Sequence, residues 1–105
     1  MKTVITSTGN SLKSDFDERF GRADWFCILE EKGKKAAFIK NEMADATGGA
    51  GVKAAETMAE LGVKRVISGD FGPKAKDLLE KLNIEMVLQK ESNVTIGDVI
   101  SGMDE

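Results

Sequence analysis

The sequence contains no histidine. That removes the commonest general base, the imidazole metal ligand and every Ser-His-Asp or Cys-His arrangement. A single cysteine, Cys27, rules out an internal disulfide. It also falls short of the roughly four thiolates that usually hold an iron-sulfur cluster. Long apolar runs are missing as well: the longest, Trp25 to Leu29, is far below the roughly 20 residues that span a bilayer. The opening MKTVITSTGN has no apolar signal core, so a reducing cytoplasm is the expected location and no membrane contact is expected. Basic excess is absent too. Fifteen Lys and Arg against 18 Asp and Glu give a net charge of -3, which does not supply the field of a general nucleic-acid binder. What is present is a chain of 105 residues, 41% hydrophobic, enough for one modest core and one domain over residues 1–105.

The opening KTVITST is a β-branched run that ends at Gly9 and Asn10 and reads as a first strand. A long polar loop follows, up to Trp25, and its length asks for a function. WFCILEE and KGKKAAFIKNE read as two strands joined by a turn at Lys32 to Lys34, with Gly33 supplying a positive φ. Val52, Ala55, Met58 and Ala59 then fall at helical spacing, with Gly62 as the stop. KRVISG is a short strand. Pro73 opens a second helix whose Ala75, Leu78, Leu79 and Leu82 form an apolar stripe ending near Asn83. IEMVLQ is a further strand, and Thr95 with Asp98 resembles a capping box before a last short helix. The order β-β-β-α-β-α-β-α predicts an α/β fold: a mixed sheet with helices on both faces.

Two junctions stand out chemically. TGGAGVKAAE places Gly48, Gly49 and Gly51 before a helix, where backbone N–H groups and the helix dipole favour an anion. It fits neither GxxxxGK[ST] nor GxGxxG. SGDFGPKA repeats the device with Gly69, an exposed-looking Phe71, Gly72 and Pro73, and adds Lys74 in the first helical turn, against the dipole. Both loops follow strands expected to point the same way, so they share one rim. The bland reading of these glycines is tight-turn geometry alone. A third piece, DERFGRAD, flanks Phe20 and Gly21 with Arg19 and Arg22: two guanidiniums able to grip an anion and a ring able to cover it. Against that, the arginines can pair with Asp15, Asp17, Glu18 or Asp24, and Phe20 can be a core plug. Cys27, within an all-apolar run, is expected to be a buried core thiol.

DERFGRADWFCILE, the block GGAGVKAAETMAELGVKRVISGDFGPKA and the strand LNIEMV together resemble the dinitrogenase iron-molybdenum cofactor biosynthesis family, the small proteins similar to NifX and to the C-terminal domain of NifB. The resemblance covers nearly the whole chain and is most specific at RFGRA, GGAG and GDFGPKA. It implies a three-layer fold similar to the ribonuclease H motif, with a five-stranded mixed sheet. It also implies a non-enzymatic role in binding or carrying an iron-sulfur or iron-molybdenum cofactor precursor, and a protein that receives that cargo. The sequence departs from a ligating pattern in lacking histidine and in burying its cysteine, so Cys27 is only a candidate metal ligand. An anion pocket of Arg19, Phe20, Gly21, Arg22, Gly48, Gly49, Gly51, Gly69, Phe71, Gly72 and Lys74 is the expected site. The same rim would suit a phosphorylated metabolite or nucleotide. A nuclease is disfavoured because the first strand carries no acid for a metal pair. A protein-interaction domain without a small ligand is the remaining possibility.

Overall fold

In the computed structural model, residues 1–30 and 35–103 are described. The expected turn at Lys32 to Lys34 lies outside them. The elements are β1 (Lys2–Ser7), β2 (Trp25–Glu30), β3 (Lys35–Lys40), α1 (Ala50–Glu60), β4 (Val63–Ser68), α2 (Pro73–Lys81), β5 (Glu85–Leu88) and α3 (Ile96–Gly102). They form one five-stranded sheet of order β3-β2-β1-β4-β5. β2 runs antiparallel to β1 and β3, while β1, β4 and β5 pair parallel. The predicted mixed sheet and element order are both present.

Alternation along the central strands assigns the two faces. Val4, Phe26 and Val66 lie in one core cluster with Ala54, Ala55 and Met58 of α1 and Ala75 and Leu79 of α2. Ile5, Cys27 and Ile67 lie in the other, with Phe16 and with Ile96 and Val99 of α3. Phe26 and Ile28 therefore serve the α1–α2 layer and Cys27 the α3 layer, so the run carries apolar side chains to both faces of the sheet.

Local chemistry fixes the helix ends. α1 begins at Ala50, two residues before the first expected periodic position, and stops where Gly62 turns to φ +74°. α2 begins on Pro73 and is followed by Asn83 at φ +58°, a conformation asparagine tolerates better than most side chains. α3 has the full capping box: Thr95 Oγ1 accepts from the Asp98 N–H at 3.1 Å, and the Asp98 carboxylate accepts from the Thr95 N–H at 3.0 Å.

Because β1, β3 and β4 point the same way, the loops that follow them meet at one end of the sheet. The long loop after β1 is knitted in place. Phe16 N–H donates to Val94 O (2.9 Å), and Asp17 N–H donates to Thr6 O (3.0 Å). Gly69 and Asp70 donate to Glu18 O at 3.1 and 2.7 Å, and Phe20 N–H returns a bond to Asp70 O.

Candidate functional site at the sheet rim

The three loops enclose an open cavity of about 440 Å³. Arg19, Phe20, Gly21 and Arg22 come from the β1–β2 loop, Gly49 to Val52 from the start of α1, and Asp70 to Ala75 from the β4–α2 turn. RFGRA, GGAG and GDFGPKA, separate in sequence, are brought to one place.

Backbone sets most of this geometry. Gly49 and Gly72 are the N-caps of α1 and α2 with φ +72° and +77°, the left-handed region that side chains disfavour. Neither helix has a side-chain cap, and neither has an acidic residue in its first turn. The first N–H groups of both helices therefore have no intrahelical acceptor and face the cavity end of the fold. Gly21 sits directly on α1: a Cβ there would stand 2.6 Å from Gly51 N and 2.8 Å from Ala50 C. Gly51 in turn lets α1 approach α2, since its Cβ would lie 3.2 Å from Ala75 Cβ.

The arginines are less free than the motif suggests. Arg19 makes a two-pronged pair with Asp17, Nε to Oδ1 at 3.0 Å and Nη2 to Oδ2 at 2.8 Å. Asp17 is 4% exposed while Arg19 is 60% exposed, so a buried carboxylate holds the guanidinium with its outer edge toward solvent. Hydrogen bonding and then charge from Asp17 raise the Arg19 pKa further above its usual value. Arg22 Nη1 donates to the carbonyls of Ala44 and Ala46, tying the RFGRA loop to the segment that leads into α1.

Phe20 and Phe71 pack with ring centroids 5.3 Å apart in a tilted arrangement. The exposed-looking Phe71 of the sequence is in fact only 9% exposed and belongs to the α1–α2 core. Its ring has Phe20, carried in by the long loop, to cover it. Both rings line the cavity floor as well, so they are core and wall at once.

Two expected glycines are not in the lining. Gly69 is pressed on the Glu18 backbone, where a Cβ would meet Glu18 Cα at 3.0 Å, and Gly48 has open space around it. Cys27 is fully buried on the α3 face of the sheet, and burial pushes its thiol up to about 11. The structure does not bring it to the rim. Among the described residues there is no group of three or more His, Cys, Asp or Glu arranged to hold a metal ion.

Sequence reading missed Asp70 and Asn41. Asp70 lines the mouth, and its Oδ1 accepts from the Gly72 N–H at 3.2 Å, an Asx turn that the D-x-G spacing itself signals. Asn41 is buried; its Nδ2 donates to Gly21 O (2.9 Å) and Ala23 O (2.8 Å), and its Oδ1 accepts from the Met43 N–H. Twenty residues separate it from the loop it holds, so no local pattern marks it.

A family model described as dinitrogenase iron-molybdenum cofactor matches residues 1–105. The chain belongs to that family. An uncharacterized protein of Methanocaldococcus jannaschii is 34% identical over 89 residues, covering 82% of this chain and 72% of that one. Among solved structures, the apo form of the orange protein from Desulfovibrio gigas superposes with a TM-score of 0.89 at 27% identity, over 97% of this chain and 85% of that chain. A candidate NifB protein from Thermotoga, solved by NMR, gives 0.83 at 26% identity over 98% and 86%. Membership of the dinitrogenase iron-molybdenum cofactor family makes this a small cofactor-related binding domain. No helix among the described residues is long and apolar enough to cross a membrane.

Proposed function

We propose that this protein is a non-enzymatic carrier that holds an anionic metal cofactor, an iron-sulfur or iron-molybdenum cluster precursor, in the rim cavity and passes it to a receiving protein in the cytoplasm. One observation carries the reading: two helix N-termini without side-chain caps open into the cavity that Arg19 also lines. Each helix end is equivalent to roughly half a positive charge. α1 offers the N–H groups of Ala50, Gly51 and Val52; α2 offers those of Lys74 and Ala75, Pro73 having none. Arg22 and Lys74 add charge at the mouth, while Asp17 balances Arg19 and Asp70 opposes the rest.

The result is a modest positive field over an aromatic floor, suited to a large, polarisable anion with a diffuse charge. The donor set fits such a cargo held by charge and hydrogen bonds. It does not fit direct ligation, because no metal-holding cluster of side chains lies there and the one thiol is across the sheet. The cargo would bring its own sulfide ligands, and the protein's part is to bind, orient and partly shield it.

Anaerobic reconstitution with iron and sulfide, followed by desalting, metal analysis and a visible spectrum, tests this. Near-stoichiometric metal should be bound by the native chain and kept by Cys27→Ala. Lys74→Glu suits the α2 dipole and should preserve the fold, yet it should lose most of the metal. Colourless native protein sinks the cluster reading. A sugar phosphate or nucleotide that then raises the thermal midpoint would assign the same pocket to a phosphorylated metabolite.

A further inference from the structure

Arg19, Arg22 and Lys74 line the rim cavity with positive charge, and Asp70 is the one acid among its lining residues. It stands where β4 turns into α2, and the fold fixes it there through the backbone. Its N–H donates to Glu18 O at 2.7 Å, and its carbonyl accepts from the Phe20 N–H at 3.1 Å. Its Oδ1 accepts from the Gly72 N–H at 3.2 Å, so the carboxylate is held against the N-cap of α2. No cation neutralises it. Arg19 is taken by Asp17, Arg22 donates to two carbonyls, and among the described residues Asp70 has no ion-pair partner. The turn itself does not need the charge, because an asparagine oxygen would accept from Gly72 equally well. What aspartate adds is a negative charge beside two helix ends that favour anions.

We propose that Asp70 is the specificity-determining residue of the cavity: it excludes phosphate and other compact oxyanions and leaves the site to a large anion of diffuse charge. A phosphate group that used the Lys74 and Ala75 N–H groups of α2 would bring its whole charge to rest beside Asp70. Repulsion between like charges falls with distance, so a concentrated charge at that spot suffers most. A larger anion rests on the Phe20 and Phe71 rings and on the N–H groups of α1, with most of its charge farther from the carboxylate. A fixed like charge is how a site rejects one class of ligand while keeping another. The inference rests on the carrier reading for what the cavity admits; what the cavity rejects is read on the metal-free chain.

Inorganic phosphate titrated into the metal-free full chain at low salt, followed by backbone amide NMR shifts, tests the exclusion. Asp70→Asn should bind phosphate at least about tenfold more tightly than the native chain, with the shifts centred on Gly51, Val52, Lys74 and Ala75. Circular dichroism should show the native fold, since asparagine supplies the same acceptor to Gly72. Glu80→Gln removes an equal charge from an exposed position of α2 outside the cavity lining, and it should show no such gain. After anaerobic reconstitution with iron and sulfide, metal on the native chain should survive desalting into phosphate buffer, whereas metal on Asp70→Asn should be displaced. A native chain that takes up no metal removes the carrier reading, and the phosphate comparison then decides the role of Asp70 by itself. That role is overturned if the native chain and Asp70→Asn respond to phosphate alike, or if Glu80→Gln gains as much as Asp70→Asn.

Discussion

Gly21→Ala should destabilise this protein out of proportion to one methyl group. The added Cβ would stand 2.6 Å from Gly51 N, 2.7 Å from Gly51 Cα and 2.8 Å from Ala50 C, all of them backbone atoms. Ordinary contact is about 3.5 Å, so the RFGRA loop would have to lift by roughly 1 Å. It has little room to do so. Asn41 holds Gly21 O and Ala23 O, and Phe20 N–H is bound to Asp70 O. Overpacking of this kind costs about 1–3 kcal/mol. Loss of glycine freedom in the unfolded chain returns about 0.4–1 kcal/mol. A net loss of about 1–2 kcal/mol corresponds to a fall in Tm of roughly 4–16 °C for a domain of this size. Thermal and urea unfolding followed by circular dichroism measure it. Gly48→Ala is the internal contrast: nothing lies within 4 Å of its Cβ position and its φ is not positive. It should stay within about 0.5 kcal/mol of the native protein. If Gly21→Ala matches Gly48→Ala, the RFGRA loop does not rest on the start of α1, and the account of the cavity wall is wrong.

Asn41→Ala should cost about 1–3 kcal/mol, because it leaves the buried Ala23 carbonyl and the half-buried Gly21 carbonyl without their donor. Its mark at the site should be loosened RFGRA amides in hydrogen exchange, and unchanged protection there would refute the clamp. Cys27 ionises near 9.0 in the unfolded chain and at about 11 when buried, so the folded state holds the proton more tightly. Stability is therefore full below about pH 9 and declines as pH rises from there toward 11, by up to about 2–3 kcal/mol. Urea titrations at pH 8 and 10.5 on the native chain and on Cys27→Ala measure this contribution; equal slopes of stability against pH in the two would remove it.

The sequence carried the architecture because each element has a local signature. The short uninterrupted apolar run WFCIL, the apolar stripe behind Pro73 and the Thr95–Asp98 box each decide an element without help from the rest of the chain. The meeting of three loops was legible too, since it follows from strand direction. What the sequence concealed was commitment. Arg19 and Arg22 read equally well as anion-binding cations or as partners of Asp15, Asp17, Glu18 or Asp24, and only the fold shows Arg19 held by a buried Asp17 and Arg22 by carbonyls more than twenty residues away. Phe71, flanked by glycines and an aspartate, reads as exposed until Phe20 arrives from fifty residues upstream to cover it. Glycine roles were the least legible. Gly21 and Gly69 answer to neighbours distant in the chain, and Gly49 and Gly72 to their own φ, yet all four look alike as letters.

The clamping of the RFGRA loop has a mechanical consequence. Asn41 grips it from behind, Glu18 is pinned against Gly69, and Gly21 has no slack above α1. A wall built this way has no hinge, so in the carrier role proposed above a cargo would enter and leave a fixed dish through its open mouth. Unloading in that role would depend on what competes at the mouth: a receiving surface richer in positive charge than Arg22 and Lys74 would draw an anion across with no loop having to move.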